Sequence, residues 1–296
     1  MHRFSYFIPG LFCFLFLGLN SGNAIKNRFP IPAELQIEDT DKTIEQLAKD
    51  EVFTLSPSEL AVFLWDIFKR GRSEEFSYYD SNPNILSVEQ AKKPATILLH
   101  GHSSNQGEWL PFLASVEEYN KNCLNNEAMS GPIFTINYPE ESSTTNLIKK
   151  IAEIKNIYLQ AGQENVELFL VGHSLGAITS ASYTYNPQLW VKGTHVRKVI
   201  SIAGRLKNID PPSKTPYYAY CYLLLPYIDE IWHKIEKNRG ISHLYTIAAE
   251  NDWLLPLESV LVGDELSENT IIPNAGHALV ARKKETAKKV ISWLYK

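Results

Sequence analysis

Only three cysteines occur among the 296 residues, and no two are spaced as Cys-x-x-Cys. A disulfide-stapled mini-fold and a zinc ribbon are thereby excluded. Cys13 falls inside an N-terminal apolar run, leaving Cys123 and Cys221. Spacing alone does not decide whether these two pair, and the apolar surroundings of Cys221 suit a buried thiol as well. Neither sign of charge dominates: 29 basic and 33 acidic side chains leave a net charge of −4. That balance offers no electrostatic footprint for nucleic acid. An unbroken apolar run of the ~20 residues that cross a bilayer is also missing. The stretch Phe4 to Leu19 is interrupted by Ser5 and by Pro9-Gly10. Internal repeats and low-complexity tracts are absent, which excludes solenoid and disordered classes.

What the N-terminus does carry is a leader pattern. Met1-His2-Arg3 is a short basic start, the apolar run follows, and Asn20 to Ala24 places small residues at Gly22 and Ala24. Residues 1–24 therefore read as a cleaved export signal, with an uncleaved anchor as the alternative. The mature protein is expected outside the cytoplasm. Removing the leader leaves about 270 residues, close to the upper size for one hydrophobic core, so one domain with an inserted subdomain is expected.

Residues 25–94 form an N-terminal segment. Ser56-Pro57-Ser58-Glu59 opens a helix whose apolar face is Leu60, Val62, Phe63, Trp65 and Phe68, closed by Gly71. Glu75 to Tyr79 and Ile85-Leu86 are candidate edge strands around the turn Asn82-Pro83-Asn84. From Ala95 the rhythm changes, and residues 95–296 read as the core domain. Ala95–Leu99, Ile133–Asn137, Val166–Val171, Val199–Ala203, Leu244–Ala248 and Thr270–Ile272 are short, nearly continuous apolar runs, as expected of strands covered on both faces. Between them, Asn146 to Gln160 and Lys283 to Trp293 carry apolar residues at spacings of three and four. Alternating strands and helices predict an α/β fold with a mostly parallel, doubly covered sheet. Residues 205–242 interrupt the alternation. With Pro211-Pro212, the aromatic run Tyr217 to Tyr227 and a short helix at Asp229 to Lys237, they read as a cap inserted after the sixth strand, counting the two edge candidates.

The strongest chemical signal is Gly172-His173-Ser174-Leu175-Gly176, directly after one predicted strand and before a helical run. A Gly-x-Ser-x-Gly in that context is a nucleophile elbow: a strained turn that leaves the serine hydroxyl exposed at a helix N-terminus. This run, with Ile97-Leu98-Leu99-His100-Gly101-His102, resembles the lipases and esterases of the α/β-hydrolase superfamily. The resemblance covers roughly Ala95 to Lys296. Two departures stand out: Ala177 where many lipases have a third glycine, and Arg205 after Ile202-Ala203-Gly204 where many have proline.

The resemblance implies a triad in the chain order Ser, acid, His. Ser174 is then the nucleophile and His277, in Asn274-Ala275-Gly276-His277, the base. Asp252, in Asn251-Asp252-Trp253-Leu254-Leu255-Pro256, is the acid, with Glu250 as the alternative. It also implies an oxyanion hole from the backbone N–H groups of Leu175 and His102. The aromatic cap adds candidate substrate contacts at Tyr217, Tyr218, Tyr220 and Leu224.

The expected activity is hydrolysis of carboxylic esters, small or lipid, through an acyl-enzyme, with neither metal nor organic cofactor. Medium or long acyl chains should be preferred, and activity through a neutral histidine base should fall on acidification. Thioester or amide hydrolysis and acyl transfer use the same machinery, and a non-catalytic binding protein is the rival of another class. A metal pair at His100 and His102 lacks a third ligand. His173 reads as the variable position of the elbow, and His195, His233 and His243 as surface or capping residues. Lys283, Lys284, Lys288, Lys289 and Lys296 read as a solvated helix face, peripheral contact with anionic lipid being the weaker reading. Oligomeric state is not legible.

Overall fold

The computed structural model describes residues 84–102, 104–123, 130–138, 143–207, 209, 218–238, 240–262 and 267–295, with side chains described only from 227 onward in the stretch beginning at 218. The expected leader, the helix expected from Ser56, the candidate strand at Glu75 to Tyr79 and Tyr217 all lie outside the described residues. So do the side chains of Tyr218, Tyr220, Cys221 and Leu224.

The chain enters the described part through α1 (Val88–Ala91), a single turn held by a capping box between Ser87 and Gln90. Ile85-Leu86, read as an edge strand, leads into that cap instead. Ile85 is 84% exposed and only Leu86 packs inward. Six strands follow: β1 (Ala95–Leu99), β2 (Ile133–Ile136), β3 (Val166–His173), β4 (Thr194–Ile202), β5 (His243–Ala249) and β6 (Ser267–Ile272). They form one sheet in the order β2-β1-β3-β4-β5-β6, every neighbouring pair parallel. The strand before the expected cap is thus the fourth described one. Of the two edge candidates counted ahead of it, one is not a strand and the other lies outside the described residues.

Continuous apolar strands work here because both faces are covered, and the two-residue period survives inside them. Ile97 and Leu99 of β1, with Leu168 and Leu170 of β3, point into one core. That core is closed by α3 (Ser143–Gln160), through Leu147, Ile151, Ile154 and Tyr158, and by α4 (Leu175–Thr184), through Ile178 and Ala181. Leu98, Phe169 and Val171 point the other way. There α2 (Leu110–Asn122) supplies Phe112 and Val116, and α7 (Lys284–Leu294) supplies Ala287, Val290, Ile291 and Leu294.

The interval 205–242 contains one long helix, α5 (Tyr218–Lys237), which starts eleven residues before the expected Asp229. Pro226, with no N–H to donate, hides this continuity in the sequence. Ile228, Ile231 and Ile235 recur on one side of α5 and join the same core as α3, while Asp229, Glu230 and Glu236 face water. From Tyr227 onward this interval therefore serves as the crossover helix between β4 and β5 and packs against the body. The remaining short helix, α6 (Leu257–Val260), follows β5.

Strand order reverses direction beside β1: the chain steps outward to β2 and returns to β3 on the other side. A crevice opens at the carboxyl ends of strands at such a switch point. The loop after β1 and the turn after β3 both emerge there.

Candidate active site

Ser174 joins β3 to α4 with φ 51° and ψ −115°. An L-residue pays roughly 1–3 kcal/mol for such a conformation, which persists only when its surroundings impose it. Here they do. The Ser174 N–H donates to the Ile202 carbonyl at 2.9 Å, and its carbonyl accepts from Ala177 and Ile178. The flanking glycines let strand and helix close on each other: a Cβ on Gly176 would come 2.3 Å from the Leu99 carbonyl oxygen.

Ala177 fits because of the residue opposite. A Cβ added to Gly204 would stand 2.4 Å from the Ala177 Cβ and 2.5 Å from Ser201 Oγ. The methyl that departs from the glycine pattern at 177 thus occupies space left by Gly204. Gly204→Ala should therefore destabilise the fold by roughly 1–3 kcal/mol through overpacking. Adding Ala177→Gly to that variant should recover part of the loss. Thermal unfolding of the two variants checks this, and an unchanged midpoint in Gly204→Ala would contradict it. Arg205, the other departure, is buried, and its guanidinium donates to the Ile209 carbonyl.

His277 follows β6 and reaches Ser174: its Nε2 lies 3.0 Å from Ser174 Oγ. Its Nδ1 lies 2.9 Å from Asp252 Oδ2, both side chains being almost wholly buried. Asp252 Oδ1 accepts the backbone N–H groups of Leu254 and Leu255, each at 2.9 Å, and Asp252 is thereby fixed at the mouth of its own loop. A carboxylate can only accept, so Nδ1 carries the ring proton and the Nε2 lone pair faces the serine hydroxyl. The hydroxyl donates along the line of proton transfer, as a serine needs in order to attack a carbonyl.

Two loops are tied together to bring these groups into line. Glu250 N–H donates to Ile272 and Asn251 N–H to Ala275. Glu250 Oε2 accepts from the Asn274 backbone at 2.8 Å, where the chain turns with φ 51°. Glu250, the alternative acid, thus braces the His277 loop, and it is Asp252 that meets the imidazole.

The elbow histidine has a larger part than its motif position suggests. His173 Nδ1 lies 2.7 Å from Glu108 Oε1, and both side chains are buried. Glu108 sits in the 3-10 turn Gln106–Trp109, capped by Asn105. Burial opposes charge on both groups, but their mutual attraction outweighs it. Glu108 is held well below the usual carboxylate range, and His173 is pushed above the usual imidazole value. Nothing local in Asn105-Gln106-Gly107-Glu108-Trp109 signals this, because the partner lies 65 residues further on.

A scan against protein-family models finds no match, and a search of curated proteins finds none either. Solved structures do match. A gene product of Listeria innocua (lin2722) superposes with a TM-score of 0.50 at 15% identity, covering 68% of this chain and 93% of that one. The carboxylesterase CesB of Bacillus subtilis gives 0.45 at 15% identity, over 68% and 84% of the two chains. An esterase of Pyrococcus furiosus gives 0.46 at 13%, over 69% and 82%.

The fold is that of the α/β-hydrolases.

Within the α/β-hydrolase fold, the loop after β1 lies against the elbow: a Cβ on Gly101 would sit 3.2 Å from Ser174 Cβ and 3.0 Å from His173 Nδ1. His102 follows directly, half-buried, and Leu175 opens α4. Both candidate oxyanion residues therefore flank Ser174. His100, once paired with His102 as a conceivable metal site, is occupied otherwise. It stacks on Tyr138 with ring centroids 4.3 Å apart, and its Nδ1 donates to the Gly101 carbonyl at 2.8 Å. The indole of Trp253 stands edge-on to His277, 6.1 Å between centroids.

Proposed function

We propose that this protein is a serine hydrolase that cleaves carboxylic esters through an acyl-enzyme on Ser174. The observation that carries the reading is the continuous hydrogen-bonded chain Ser174 Oγ, His277, Asp252, with contacts of 3.0 and 2.9 Å. In the proposed cycle Ser174 Oγ attacks the ester carbonyl carbon as its proton passes to His277 Nε2. The resulting oxyanion is held by the N–H groups of Leu175 and His102. His277 then returns the proton to the leaving alcohol, and a water molecule, activated in the same way, releases the acid. The esterase and carboxylesterase among the similar structures act on the same bond class, which agrees with this reading.

Tyr217, Tyr218, Tyr220 and Leu224 are assigned to the acyl group on their aromatic and apolar composition, and the leader expected at residues 1–24 to export. N-terminal sequencing of the exported protein tests the second assignment. A chromogenic ester series from two to sixteen acyl carbons tests the first. Turnover should be higher with medium or long chains than with acetate, and a series that peaks at acetate would overturn the apolar acyl site. A fluorophosphonate should label one peptide, the one containing Ser174. Labelling elsewhere would move the nucleophile.

A further inference from the structure

One buried ion pair touches three of the four loops that carry the proposed chemistry. Glu108 Oε2 faces the N–H of Gly101 at 3.3 Å, immediately before the oxyanion residue His102. Glu108 Oε1 meets His173 Nδ1, beside the nucleophile in the chain. His173 Nε2 lies 2.8 Å from the backbone carbonyl of His277. One ring nitrogen of His173 thus makes a charge contact with a carboxylate, and the other lies in hydrogen-bond reach of a carbonyl that can only accept. A neutral imidazole with its N–H on Nε2 serves the carbonyl but brings no charge to the carboxylate; the imidazolium serves both.

A pair of this kind is a poor device for stability alone. Desolvating two charges consumes most of what their attraction returns, and apolar replacements of like volume often fold as well or better. What an apolar pair cannot do is hold a carbonyl and an N–H in fixed directions. We infer that Glu108 and His173 are positioning residues, an ion pair that holds the His277 backbone and the loop after β1 in register with Ser174. This deepens the proposed hydrolase reading and rests on it.

The groups facing the pair are the Ser104 hydroxyl and Gly101 N–H from the loop after β1, and Arg282 from the 3-10 turn Val280–Arg282. The His277 ring lies 5.3 Å away. The contribution of Glu108 to stability is present above its ordinary 4.5 and is lost as pH falls through its lower folded value. That of His173 is complete below its ordinary 6.5 and is lost as pH rises through its higher folded value. The pair therefore stabilises most between those two values.

The test combines spectroscopy, which needs no variant, with kinetics. In the 15N-labelled wild-type chain, both ring nitrogens of His173 should keep their protons to higher pH than those of an ordinary exposed histidine. Loss of a proton at or below the ordinary imidazole value overturns the pair as drawn. In Glu108→Leu the Gly101 N–H and His173 both lose the carboxylate. The expected result is a fall in kcat of up to about 100-fold, the scale of a misplacement near 1 Å, with KM nearly unchanged. Glu108→Gln should retain more kcat than Glu108→Leu, because its carboxamide oxygen can accept from Gly101 while its NH2 donates to Nδ1 of a neutral His173 that keeps Nε2–H on the His277 carbonyl.

The double variant Glu108→Leu/His173→Leu removes both charges and guards against a variant that fails to fold. It should be folded with kcat still low, and its Tm should compare worst with the wild type between pH 4.5 and 6.5 and better once the pH has risen through the folded value of His173. A folded double variant with full kcat overturns the positioning role. A wild-type chain inert to esters and to the phosphonate overturns the reading of Ser174 instead, and the His173 signals report on the pair independently of that outcome.

Discussion

Replacing Ser174 with alanine should lower kcat/KM toward esters by a factor on the order of 10⁴ to 10⁶, because the substitution removes the atom that forms the acyl bond. What survives is the residual acceleration from oxyanion donors and substrate binding. The fold should survive as well. Alanine at position 174 faces the same backbone strain at φ 51° as serine does, and the side chain gives up only its contact with His277. Rates measured with the purified variant, together with its unfolding midpoint, separate loss of chemistry from loss of structure. A correctly folded Ser174→Ala protein with wild-type turnover would refute the proposed nucleophile.

Asp252→Asn should lower kcat by about 10⁴, and the hydrogen bonds around Asp252 give the reason. One carboxylate oxygen already accepts two backbone N–H groups, from Leu254 and Leu255. In asparagine only the carbonyl oxygen can keep those bonds, so the amide nitrogen is turned toward His277. The imidazole then has to accept at Nδ1 and carry its proton on Nε2, facing Ser174 with a donor where a base is needed. Binding should be largely retained, so the loss belongs to kcat rather than KM. Glu250→Gln provides the contrast. Its carboxamide oxygen can still accept from Asn274, so activity should change by less than about tenfold. If Glu250→Gln were the crippled variant and Asp252→Asn the active one, the acid would be misassigned.

The main lines of the site were legible because they depend on local chain chemistry. A glycine two residues either side of Ser174, a strand before it and a helix after it constrain one short stretch. The order Ser, Asp, His then points to two loops that the parallel sheet delivers to the same end. All six described strands were legible as apolar runs, though β4 begins at Thr194, five residues earlier than its apolar part. Its first residues lie toward the edge of the core and alternate in burial, so they do not read as a continuous run.

Other features depend on partners far away in the chain. His173 looked like a free choice within the motif, because nothing near it announces Glu108. Tyr227 looked like part of an aromatic cap, yet its hydroxyl donates to Ser182 of α4, and the isoleucines that follow it are core residues. Ile85-Leu86 looked like a strand on composition, but Ser87 and Gln90 commit the next residues to a helical turn.

The contact between Ala177 and Gly204 also has a historical side. A methyl at 177 and a side chain at 204 exclude each other, since their Cβ atoms would stand 2.4 Å apart. A lineage that starts with glycine at 177 and a larger residue at 204 reaches the present pair in one permitted order, with glycine at 204 arriving first. Once alanine is in place, 204 is closed to change until 177 reverts and the buried Ser201 hydroxyl also gives way. Two positions 27 residues apart in sequence therefore drift as one, and a library that randomises either alone would judge it far less tolerant than the pair.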